Sequence, residues 1–144
     1  MPRNEGNVEL WSQLSVLVAE VGTVLDRRVE QEYGLGMTDF LALKALCGKD
    51  RSGLRMRELA ATLGLNQSSA TRAVTRLERE GLAERAPDGT DGRGVVVRVT
   101  PEGRDLTAEI AGLFGDEVGA ALNAAALDNR MAPVVARLLY EPEK

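Results

Sequence analysis

Residues 56–103 read MRELAATLGLNQSSATRAVTRLEREGLAERAPDGTDGRGVVVRVTPEG. The first part, RELAATLGL, sets Leu59, Ala60 and Leu63 on one side of a short helix. Gly64 can take the left-handed conformation that stops a helix, and Asn66 can cap the next one. Two short helices joined by about three residues, one of them Gly, make a helix-turn-helix pattern. The second helix, 67–80, carries Ala70, Ala73, Val74 and Leu77 as its inward stripe, and Gly81 ends it. The period then changes. LAERAP and GVVVRVT are β-like runs, and DGTDGRG between them holds three Gly and two Asp, which predicts a hairpin with its wing at 86–95.

Outward from this run the pattern is helical. Leu54 to Met56 predict a very short strand. Thr38 reads as the N-cap of a helix over DFLALKALCG, with KDRSG as the turn that follows. Residues 8–32 repeat apolar positions in steps of three and four, from Leu10 and Trp11 to Val29, and Gly34 and Gly36 end that helix. Thr100, Pro101 and Glu102 open a further helix running to about 122. A last helical stretch ends at Leu139, and Pro133 inside it is expected to break or kink it. The expected fold is mainly α with a small β-hairpin wing. A winged helix-turn-helix lobe over 37–100 is flanked by helices at 8–33 and 101–140, within a single chain, 1–144. The flanking helices are too apolar to stand alone, and a two-fold dimer is the simplest way to cover them.

Composition narrows the function. The chain has 144 residues and only 3% aromatics, so its core must be aliphatic. No uninterrupted apolar run approaches the roughly 18 residues of a membrane span, and no apolar run follows the early Arg3 as in a signal peptide. No membrane partner is expected, and the single Cys47 suits a reducing cytoplasm. There is no histidine, and P-loop, GxGxxG and GxSxG patterns are missing. The reading is therefore not an enzyme, with no catalytic residues, no cofactor and no metal site. The net charge is −4, but residues 51–104 hold ten Arg against seven acids, a local +3, while the remainder carries −7. A mildly basic centre in an acidic chain fits a nucleic-acid partner better than the total suggests.

The run 56–103 resembles the MarR family (multiple antibiotic resistance regulators). ELAATLGL, the Arg-bearing helix ending LEREGLAER, DGR at 91–93 and the closing VRVTPEG carry the likeness, in order and without a gap. The flanking helices also match the family's lengths. The resemblance implies an obligate homodimer with a recognition helix in the major groove and a wing in the minor groove. It implies repression of neighbouring genes, commonly relieved by a small phenolic or other lipophilic effector. The expected partner is double-stranded DNA with an inverted-repeat operator.

On that reading Gln67, Ser68, Ser69, Thr71 and Arg72 enter the groove with the N-terminal half of helix 67–80, and Arg76 lies one turn further on. Gln can pair with adenine and Arg with guanine, while Ser and Thr more often hold phosphate. Arg93 at the wing tip suits a narrow minor groove. The family's Asp-x-Arg pattern gives Asp91 the part of bracing the wing. Arg85 and Arg98 sit on the wing strands, placed either to touch phosphate or to satisfy Asp91. Trp11, Phe40 and Phe114 are candidates for an effector pocket, though each fits equally as core. Cys47 reads as a structural thiol rather than an oxidant sensor. The alternative to a DNA-binding regulator is a helical protein-interaction module that uses a winged fold without DNA.

Overall fold

The structure, a computed structural model, describes residues 3–48, 52–89 and 93–139, and side chains from 5 to 136. Helix α1 (Arg3–Tyr33) starts earlier than expected and ends where Gly34 turns left-handed at φ +69°. Helix α2 (Met37–Cys47) has Gly36 as its N-cap, not Thr38. The Asp39 carboxylate reaches back to accept the Gly36 N–H at 3.1 Å, so the turn closes two residues before the expected cap. This corrects the assignment of Thr38.

Strand β1 (Leu54–Arg55) leads directly into α3 (Met56–Leu63). Gly64 ends α3 at φ +66°, and Asn66 opens α4 (Gln67–Arg79) by accepting the Ser69 N–H on Oδ1 at 2.8 Å. Strands β2 (Ala83–Pro87) and β3 (Val95–Val99) form the wing. The sheet order is β1-β3-β2, all antiparallel, with Val97 opposite both Leu54 and Arg85.

Helix α5 (Pro101–Ala126) starts as the Thr-Pro-Glu pattern predicts. Thr100 Oγ1 accepts the Gly103 N–H at 3.0 Å and donates to the Gly81 carbonyl at 2.7 Å, so one hydroxyl joins the end of α4 to the start of α5. A short turn follows, in which the Asp128 carboxylate accepts the Arg130 N–H at 2.9 Å, and that bond holds the carboxyl below its ordinary pKa. Helix α6 (Ala132–Leu139) then begins. Pro133 is its second residue, where a backbone N–H has no intrahelical acceptor to lose. The break in the helical stretch falls in the turn just ahead of it, and Pro133 opens α6 with no kink inside a helix.

The chain divides into two compact units. One spans Val29–Gly112 and the other comprises the described residues up to Arg28 and from Leu113 onward. The first contains the sheet, α2, α3 and α4 around an aliphatic core of Leu43, Leu46, Leu59, Val74, Leu77 and Val97, all nearly or fully buried. Each such side chain contributes roughly 1.5–3 kcal/mol by leaving water. In the second unit Arg28 pairs with Glu117 at 2.7 Å, and Leu17, Leu25, Val134 and Val135 are buried. Much of its apolar surface is not: Trp11 is 71% exposed, and Val8, Val16 and Val18 are also open. By length and composition alone, α1 is long and apolar enough to cross a membrane.

Candidate nucleic-acid interface

The four apolar positions expected to hold α4 down, Ala70, Ala73, Val74 and Leu77, are all completely buried. They fix which face of α4 remains outside. Gln67, Ser68 and Arg72 are exposed on its N-terminal half, with Ser69 and Thr71 half-buried beside them. The hydroxyl protons are already engaged: Ser68 Oγ donates to Asn66 Oδ1 at 2.8 Å, and Thr71 Oγ1 to the Gln67 carbonyl at 2.8 Å. A phosphate only accepts, so either hydroxyl must first rotate away from the helix to serve one. Gln67 and Arg72 are the stronger donors on this surface. Ser69 Oγ accepts from Arg72 Nη2 at 3.1 Å and so steadies the guanidinium without neutralising it.

Arg76 differs from Arg72. It is bound to Asp39, with Nη2 at 2.9 Å and Nε at 3.1 Å from Oδ1, and Asp39 is almost fully buried. The sequence places Arg76 beside Arg72 on the helix, but the fold gives its charge a carboxylate 37 residues away.

The wing is closed at its base by the Asp88 N–H on the Gly94 carbonyl at 2.8 Å. Arg55 clasps Asp88 Oδ2 through Nη2 at 2.7 Å and Nε at 3.1 Å. Asp91, expected to brace the wing, lies outside the described residues. Arg85 is held by Glu78 at 3.0 Å and donates to Thr75 Oγ1 at 3.4 Å, tying β2 to α4. Arg98 Nε points to the Ser52 carbonyl at 3.4 Å. Arg93 is exposed at the end of the hairpin.

Phe40 is 2% exposed in the core of the winged unit, in keeping with the second of its two readings. Trp11 and Phe114 belong to the other unit. That unit does have a groove of about 700 Å³, lined by Val16, Leu17, Val21 and Leu25 of α1 and Ala121 and Met131, but neither Trp11 nor Phe114 lines it. Cys47 is a free thiol, half-buried rather than fully enclosed.

Three residues of this architecture were missed from sequence: Asp39, Arg55 and Asp88. Asp39 carried a local signal, an acid three residues after a Gly at a helix start. The Arg55–Asp88 contact spans 33 residues and had none.

A helix-turn-helix whose second helix is exposed along one polar face, followed by a three-stranded sheet with a hairpin wing, defines a winged helix-turn-helix protein. The sequence profile of the MarR family matches residues 33–94. The transcriptional repressor MprA of Escherichia coli K12 is 30% identical over 77 residues, 54% of this chain and 44% of that protein, so the match spans less than half of the relative. Among solved structures, the transcriptional regulator BldR from Sulfolobus solfataricus superposes with a TM-score of 0.78 at 27% identity, covering 96% of this chain and 98% of that one. Sco3205 of Streptomyces coelicolor, a MarR family transcriptional regulator solved in complex with DNA, gives 0.74 at 25% identity, covering 96% and 85%. Over residues 33–94 the chain is therefore similar in sequence to the MarR family, and its fold is that of a MarR family regulator solved with DNA.

Proposed function

We propose that the protein is a homodimeric transcriptional regulator that binds double-stranded DNA sequence-specifically in the cytoplasm. Helix α4 enters the major groove of an inverted-repeat operator and the wing reaches the minor groove. Gln67 and Arg72 read base edges, Ser68, Ser69 and Thr71 lie along the backbone, and Arg93 enters the minor groove. Repression is the mode suggested by the name of the matched relative, and a small lipophilic or phenolic effector is the release signal that the family resemblance suggests. The dimer is supported by the exposed apolar residues of α1, Val8, Trp11 and Val18, and by the apolar groove that Val16 lines, which a second copy would fill.

The observation that carries this reading is the pairing of exposed Gln67 and Arg72 on the first turns of a helix whose inner face is wholly buried. Selection of bound fragments from the source genome, followed by sequencing, tests it. An inverted repeat with half-sites about one helical turn apart is expected. Recovery of no DNA above background would leave the protein-interaction module as the better account.

A further inference from the structure

The contact between Arg76 and Asp39 bears on how much of the attraction to DNA comes from the phosphate backbone. Arg76 lies one turn after Arg72 on the exposed side of α4, and its side chain is 49% exposed. Unpaired, it would be another cation within reach of a phosphate. Asp39 is only 5% exposed at its side chain. Oδ2 accepts the Gly36 N–H at 3.1 Å and also Arg76 Nε at 3.4 Å, while Oδ1 takes Arg76 Nη2 at 2.9 Å and Nε at 3.1 Å. The backbone bond occupies only one oxygen in part, and the shorter contacts to Oδ1 hold the arginine.

We propose that Asp39 restrains sequence-independent DNA affinity by withholding the charge of Arg76 from the phosphate backbone. The inference rests on the DNA-binding reading above. A buried carboxylate stripped of its cation is heavily penalised, whereas one solvent-exposed phosphate contact returns little. Arg76 therefore stays on Asp39 when DNA arrives. The pair is neutral, so it displaces no counterion from the duplex. A phosphate contact strengthens binding to every sequence alike, and withholding one per protomer lowers the attraction to bulk DNA. Arg76 is then a positioning residue, fixing α4 to the first turn of α2, while Gln67 and Arg72 carry the reading.

The test measures fluorescence anisotropy of the full chain on a random duplex and on the selected operator across a salt series. Asp39→Asn frees Arg76. It should tighten binding to both duplexes several-fold at low salt and steepen the dependence of log K on log salt by roughly 0.9 per protomer. An unchanged or shallower slope overturns the proposal. Asp39→Asn/Arg76→Gln removes both charges and keeps similar shapes, so it decides the matter if the single variant melts. It should keep the wild-type slope. A slope shallower by roughly 0.9 per protomer would mean that Arg76 neutralises a phosphate in the wild type, and would overturn the proposal. Wild-type protein that binds neither duplex would instead refute the DNA reading itself.

Discussion

Arg55, the last residue of β1, clasps Asp88 at the foot of the wing with its guanidinium Nη2 2.7 Å from the carboxylate. Gly94 lies beneath that guanidinium, and a Cβ there would stand 3.0 Å from Nη2. One ion pair therefore joins the start of the helix-turn-helix to the hairpin that presents Arg93. Its side chains are 40% and 14% exposed, so Asp88→Ala should lower stability by about 1 kcal/mol, read from urea unfolding. It should weaken binding to all duplexes by a similar factor, because the wing meets the backbone and groove less well ordered. A loss confined to the operator would contradict this assignment.

Glycines at two points of α5 should respond with opposite signs. At Gly103 a Cβ would collide with the Leu82 carbonyl, while at Gly112 nothing lies within 4 Å. Gly103→Ala should destabilise by about 1–3 kcal/mol despite the better helix propensity of Ala. Gly112→Ala should stabilise by up to about 1 kcal/mol. Thermal melts of the two variants side by side check both.

Asn66→Ala removes the acceptor for the Ser69 N–H and for the Ser68 hydroxyl together. A loss of about 1 kcal/mol is expected, with Asn66→Asp restoring most of it. Equal losses in both variants would mean that the cap is not the source of the effect.

Trp11 is the only tryptophan and is 71% exposed in the protomer. If α1 is covered by a second copy, its emission should shift to shorter wavelength as protein concentration rises. The shift should follow the dimer fraction measured by sedimentation. Emission that stays red while sedimentation reports a dimer would place Trp11 away from the interface.

Much of the winged lobe was legible because its signals are local. Gly64, Asn66 and Gly81 mark the ends of helices through backbone angle and capping, and the stripe of Ala70, Ala73, Val74 and Leu77 sets which side of α4 faces out. Contacts over long sequence separations were not legible. Nothing near Arg76 in the chain indicates that Asp39, 37 residues earlier, will take its charge. Arg85 has its partners nearer in the chain, Glu78 and Thr75 on α4, but only the turn into β2 brings them together. Pro133 read as interior because periodicity continues through the turn before α6, and only the chain path shows that the helix restarts at Ala132. The aromatic residues were ambiguous for a different reason: ring chemistry suits a pocket and a core equally, and packing alone shows that Phe40 is buried.

The central claim is that the first turns of α4 read base sequence, and Arg72→Gln measured on operator and random duplex at one salt concentration tests it most directly. The account predicts a loss of about 1–3 kcal/mol on the operator and a much smaller loss on the random duplex. Equal losses on the two would make Arg72 a backbone contact and contradict the claim.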